Sequence, residues 1–243
     1  MQYSTKKRTL LKTISWRTIA TLTTIVLVYI FTGEIAIAIT IGGIEVIAKM
    51  IFYFGHERVW EKIKYGKKEI PSFVVWITGL PSSGKREIAD RLHERLLSRK
   101  LKVGRINSRG VRPLFPETGF APSDVDQHVR RAGHLCSMLE KNGVIVVASF
   151  VSPYEKSRMF ARNQANNFVE VYLNTTAEAC EKRDDRGRYE QAKKGEYKFF
   201  PGVNIEYEIP TSAEVVIDVD SLSIDDAASQ IESYLQRTLI NHH

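Results

Sequence analysis

The run Gly79-Leu80-Pro81-Ser82-Ser83-Gly84-Lys85-Arg86 holds residue types that grip phosphate: two glycines separated by four residues, then a lysine. In such a loop the backbone N–H groups and the following helix N-terminus cradle phosphate oxygens, while the lysine reaches the outer ones. One letter departs from the pattern. A hydroxyl normally follows the lysine to hold Mg²⁺, and here that place is Arg86.

A loop of this kind needs a strand before it and a helix after it. Phe73 to Thr78 is an apolar, β-branched run, and Lys85 to Ser98 puts Ile88, Ala89, Leu92 and Leu96 on one helical face. Further buried strands are expected at Lys102 to Ile106, Val144 to Phe150, Phe168 to Leu173 and Val215 to Val219. Helices are expected at Asp124 to Lys141 and Glu155 to Asn166. Near-continuous apolar strands alternating with helices predict an α/β domain of P-loop NTPase type, a parallel sheet with helices on both faces. Ligands of such sheets bind beyond the strands' carboxyl ends, where Gly79 to Lys85 falls.

The chain has 243 residues, and its formal charge of +7 is unevenly spread: net +6 lies in residues 1–70 and net +1 in the remainder. A nucleic-acid partner for the whole chain is therefore not expected. Cys136 and Cys180 are far apart and read as buried thiols, and the histidines show no metal-type spacing, so no protein metal site is expected. Residues 1–70 carry two apolar runs, Thr18 to Phe31 and Ile35 to Phe54, separated by Thr32-Gly33-Glu34. The second is long enough to span a bilayer, and the first becomes so with Ile14 to Trp16. No small-x-small cleavage site follows the first run, which argues for a two-helix transmembrane hairpin over a signal peptide. Lys6, Lys7, Arg8, Lys12 and Arg17 precede the hairpin, and Arg58, Lys62, Lys64, Lys67 and Lys68 follow it. That asymmetry predicts a multi-pass protein of the inner or plasma membrane with both termini cytoplasmic and lipid as a partner. Glu45 and Lys49, four apart, read as packing or a homo-oligomer contact more readily than as a transport device. "LLKTISWRTIATLTT" and "KMIFYFGHERVWEKI" resemble an uncharacterised family of two-helix membrane domains. Residues 1–70 and 71–243 are thus expected to be separate domains.

Downstream, "SPYEKSRMFAR", "FVEVYLNTTAEACEKRDDRGRYEQAKKGE" and "FFPGVNIEYEIP" closely resemble the adenylylsulfate kinase family, from about Val74 to Val219. The resemblance implies ATP and adenylylsulfate as ligands, Mg²⁺ as the usual companion of ATP, and transfer of the γ-phosphoryl to the 3′-hydroxyl of adenylylsulfate. It places Gly79, Ser82, Ser83, Gly84, Lys85 and Arg86 at the ATP phosphates, with Arg183 and Arg186 in a lid that also includes Asp184, Gly187 and Tyr189. Arg112, Arg130 and Arg131 would bind adenylylsulfate, Phe120 and Phe200 would sandwich its adenine, and Lys85 and Ser152 would serve the chemistry.

Three departures fall on the chemistry. Arg86 replaces the loop hydroxyl. Asn107-Ser108-Arg109 stands where the family has Asp-Gly-Asp, and Asp124-Val125-Asp126-Gln127-His128 stands where it has Asp-Arg-x-x-Asn. Arginines in place of a hydroxyl and an acid repel a metal and attract phosphate. Three readings follow: an adenylylsulfate kinase in which an acid such as Asp126 substitutes, a catalytically silent nucleotide-binding module, or a transport hairpin with a sensor domain. Taken singly, Phe120 and Phe200 also read as core aromatics, and Arg158 and Arg162, four apart, as a solvated helix face; taken together in family order these readings weaken.

Overall fold

The structure is a computed structural model that describes residues 2–4, 10–16, 18–20, 23, 30, 35–63 and 67–240, with the side chains of 2–4, 35–46 and 67–69 outside the description. The chain divides into two compact units, residues 2–69 and 70–243.

In the first unit, strand β1 (Gln2–Ser4) pairs antiparallel with β2 (Lys67–Glu69), Tyr3 opposite Lys68. Helix α1 (Ile35–Lys62) takes up the second apolar run. Helical residues 10–16 lie along its second half. Lys12 Nζ pairs with Glu57 at 2.8 Å, Ser15 Oγ sits 2.8 Å from His56 Nε2, and the Trp16 ring meets Tyr53 edge-on at 5.0 Å. Trp60 Nε1 also donates to His56 Nε2 at 3.0 Å, which assigns that nitrogen as an acceptor. Among the described residues no helix is long and apolar enough to cross a membrane. The described side chains of α1 begin at Ile47, so the more apolar first half of the expected second span lies outside them. Most of the first apolar run, the Thr32-Gly33-Glu34 break, the Glu45 side chain and most of the basic flanks lie outside the described residues.

The second unit is built on five parallel strands in the order β4-β5-β3-β6-β7: β3 (Val74–Thr78), β4 (Val103–Asn107), β5 (Ile145–Ser149), β6 (Phe168–Asn174) and β7 (Val215–Asp218). These strands fall within one residue of their expected ends. Val74 to Ile77 are wholly buried, because helices cover both faces of the sheet. On one face, α2 (Lys85–Ser98) and α8 (Ile224–Leu235) bury Ile88, Leu92, Leu96, Ile231 and Leu235 over Val75 and Ile77. On the other, α4 (Pro122–Lys141) and α5 (Glu155–Gln164) cover Val74, Trp76, Val146 and Ala148. Gly133 lets these two helices close up, since a Cβ there would stand 2.6 Å from Ala161 Cβ. Short helices α3 (Ser108–Val111), α6 (Ala177–Lys182) and α7 (Arg188–Lys193) lie after β4 and β6. Thr176 and Ser223 cap α6 and α8 by accepting from Ala179 N and Asp226 N, both at 3.1 Å.

Arg158 does not lie on a solvated face. It is 2% exposed, its Nε is 2.9 Å from Glu170 Oε1, and it donates to the Ser152 and Glu208 carbonyls. Arg162 forks onto Glu214 at 2.6 and 2.8 Å. Both side chains point toward Glu170 on β6, whose charge they compensate, so helical spacing alone gave the wrong environment.

Candidate nucleotide site

Strand β3 runs directly into the phosphate loop, and α2 begins at Lys85. Gly84 caps this helix at φ 82°, a left-handed conformation in which a side chain would be strained. Lys85 Nζ donates to the Leu80 carbonyl and to Ser83 Oγ (3.1 Å), so the lysine bridges its own loop. Burial lowers its pKa to about 8. Arg188 pushes the same way, against Cys180 and Glu87.

The lid fastens onto the loop through Asp184, between α6 and α7, and through Arg188 and Tyr189 at the start of α7. Ser82 Oγ donates to Asp184 Oδ1 at 3.1 Å, Arg188 reaches Ser82 Oγ at 2.8 Å and Asp184 at 3.1 Å, and the Tyr189 hydroxyl donates to the Pro81 carbonyl at 2.9 Å. Burial would raise the Asp184 pKa, but bonds from Tyr189 N, Arg188 and Ser82 outweigh it and hold the carboxyl below the ordinary range. Arg188 was not among the expected site residues. Its spacing of four from Asp184 was the available signal. Arg183 is committed elsewhere, to Asp220 (2.7 Å) and the Val219 carbonyl (3.1 Å), and Arg186 is exposed with no ion pair among the described residues.

At the other end of the site, Arg112 and Arg131 converge on Thr118. Arg112 donates to the Thr118 and Gly119 carbonyls at 3.0 and 3.3 Å and lies 3.9 Å over the Phe120 ring. Arg131 donates to Thr118 Oγ1 at 3.0 Å and covers the Phe115 ring. Arg130, about 100° round the helix from its neighbour, turns instead to Asp126 at 3.0 Å and to the Phe160 ring. The expected Arg-Arg pair therefore splits. Phe120 is 66% exposed, whereas Phe200 is buried against Leu80, Tyr189 and Tyr207; no ring contact joins the two among the described residues.

Two expected chemical groups are built into the scaffold. Ser152 is 1% exposed at φ 36°; its hydroxyl takes the Trp76 Nε1 donor (3.1 Å) and pairs with Thr78 Oγ1 (2.7 Å), so it is not presented to a ligand. Asp126, the acid read as a substitute for the lost carboxylate, accepts from Ser157 (2.6 Å) and Arg130 (3.0 Å) and ties α4 to α5. His128 is 3% exposed beside these elements. Its Nε2 is 2.9 Å from Ser108 Oγ, its Nδ1 has no partner, and burial, reinforced by Arg112 and Arg131, lowers its pKa to about 4.

Mg²⁺ calls for free oxygen ligands. Two oxygens beside the loop helix are already bound by cations: Asp90 accepts from Arg105 (2.9 Å) and lies 3.6 Å from Arg86, and Ser149 Oγ accepts from Arg105 at 2.7 Å. Among the described residues no group of three or more metal-ligating side chains is placed to hold an ion. The described residues around the loop do not fit a protein-held Mg²⁺.

A parallel sheet, a glycine–lysine loop at the carboxyl end of its central strand and a lid latched to that loop define a phosphate-binding P-loop domain of the kinase type. The family model described as "Adenylylsulphate kinase" matches residues 71–218, and the chain belongs to that family. A second model, described as "Predicted membrane protein (DUF2061)", matches residues 10–61. The adenylyl-sulfate kinase of Staphylococcus carnosus is 35% identical over 168 residues, covering 68% of this chain and 84% of the relative. A probable adenylyl-sulfate kinase of Archaeoglobus fulgidus is 40% identical over 150 residues, 61% of this chain and 97% of that one. The Mycobacterium tuberculosis APS kinase CysC, solved in complex with AMPPNP and APS, superposes with a TM-score of 0.65 at 28% identity, covering 69% of this chain and 99% of that chain.

Proposed function

We propose that the chain is a membrane-anchored adenylylsulfate kinase. The γ-phosphorus of ATP forms a bond to the 3′-oxygen of adenylylsulfate, the bridging β–γ P–O bond breaks, ADP leaves, and the hydroxyl proton is released. The observation that best supports this is the lattice Ser82–Asp184–Arg188 with Tyr189–Pro81, which sets a lid against an intact glycine–lysine loop. The lid excludes water, and Lys85 and Arg188 offer positive charge to the phosphates. Arg112 and Arg131 stand ready for the phosphosulfate of an acceptor like the APS bound by the M. tuberculosis relative. The N-terminal unit, with its match to a membrane-protein family, would place this activity at a membrane with both termini cytoplasmic.

The full chain in detergent micelles, given ATP, Mg²⁺ and adenylylsulfate, is expected to yield 3′-phosphorylated product, and Lys85→Ala to abolish it. Nucleotide binding without product would instead identify a silent nucleotide-binding module. Membrane fractionation and protease protection of tags at both termini test the anchoring.

A further inference from the structure

Strand β4 holds a charge that neither the loop motif nor the lid uses. Arg105 lies inside the strand with a side chain only 12% exposed, and its guanidinium donates to Asp90 (2.9 Å), the Ile106 and Val147 carbonyls (2.6 and 3.1 Å) and Ser149 Oγ (2.7 Å). Ser149 closes β5 and pairs in register with Ile77, just before β3 enters the phosphate loop. Asp90 is one turn along α2 from Arg86. Arg105 therefore sits in the wedge between strand ends and loop helix, and it occupies both the hydroxyl and the carboxylate that could otherwise turn to a metal.

Arg86 is held much more loosely. Its side chain is 58% exposed and its Nε lies 3.6 Å from Asp90 Oδ2, at the far reach of an ion pair. Asp90 already has a shorter partner in Arg105, so Arg86 can leave it at little cost. It starts from the first turn of a 14-residue helix, beside Lys85. A guanidinium there can fork onto two phosphate oxygens with charge-assisted bonds. Arg109, exposed two residues beyond the end of β4, adds a further cation on the same sheet edge.

We propose that this edge is a metal-independent anion site: Arg86 takes the outer phosphates of a nucleoside triphosphate, and Arg105 is a fixed internal cation that holds the Asp90 carboxylate and the Ser149 hydroxyl beside it. The proposal rests on the nucleotide-site reading above and specifies what supplies the charge there.

The test is calorimetric titration of ATP into the full chain in detergent micelles, in EDTA and in excess Mg²⁺ at matched ionic strength. The two dissociation constants are expected to agree within about threefold, and Arg86→Ser to weaken binding in EDTA by about tenfold or more, the scale of one lost charged hydrogen bond. Binding that falls more than about tenfold in EDTA for the unaltered chain, or Arg86→Ser binding as well as the parent in EDTA, overturns the proposal and leaves the kinase reading intact. No ATP binding in either condition overturns both. The comparison on the unaltered chain needs no variant to fold.

Discussion

His128 is held neutral in a place where an imidazolium would be costly, and that gives the second unit an acid limit that can be calculated. The ring is 3% exposed, faces the guanidinium groups of Arg112 and Arg131, and has an Nδ1 with no partner. Its folded pKa of about 4 lies below the ordinary 6.5, so the unfolded chain binds more protons between these values. Stability tied to His128 is therefore complete above pH 6.5 and is lost as pH falls through 6.5 toward 4. At about 1.4 kcal/mol per pH unit, the loss reaches roughly 3 kcal/mol by pH 4. His128→Asn, which puts back the residue type of the family motif, removes this proton and leaves the carboxylates that titrate in the same range unchanged. Urea unfolding of the parent and the variant, measured at half-unit steps from pH 7 to pH 4, isolates the group as the difference between two curves. That difference should grow by about 3 kcal/mol toward acid. Curves that stay parallel within about 0.5 kcal/mol refute the reasoning, because a freely solvated histidine contributes no such slope. An anion bound to Arg112 and Arg131 should neutralise part of their push, so saturating adenylylsulfate is expected to raise the His128 titration seen by NMR.

Other parts of the structure give sharper, smaller tests. Lys85, lowered to about 8 by burial, should take up a proton when phosphate reaches it; affinity for ATP should then fall by up to about tenfold per pH unit above pH 8, and a Kd that is flat from pH 7 to 10 would contradict this. Gly133→Ala would place a Cβ 2.6 Å from Ala161 Cβ and 2.8 Å from its Cα, so α4 and α5 must part, at a cost of about 1–3 kcal/mol read as a lower melting temperature. Glu170→Gln leaves Arg158 buried with its charge uncompensated, and should cost about 3 kcal/mol or more in urea unfolding.

The scaffold was legible because parallel strands are buried on both faces and so read as apolar runs bounded by polar turns. The loop was legible because its glycines answer backbone needs that no other residue meets, as Gly84 at φ 82° shows. What escaped was everything decided by residues distant in sequence. Ser152 has the right neighbours for a reactive serine, yet Trp76 and Thr78, over seventy residues upstream, close around its hydroxyl. Asp126 reads as a spare acid until Ser157, 31 residues later, claims it. In the N-terminal unit the polar contacts of Lys12, Ser15, Glu57 and His56 had no signature in the pattern.

Arg105 is the clearest case. It stands in a run expected as a buried strand, and β4 lies at the edge of the sheet. Its side chain nonetheless turns inward, because Asp90 and Ser149, 15 and 44 residues away, supply the acceptors that a buried guanidinium requires. The sequence pointed to Arg86 and Arg109 as the altered pair at the metal position; in the fold Arg86 is joined through Asp90 to Arg105 instead. A change at the loop hydroxyl alone would leave Ser149 and Asp90 available to a metal ion. With Arg105 bound to both, Arg86 and Arg105 act together, and positive charge at this edge comes from the chain itself.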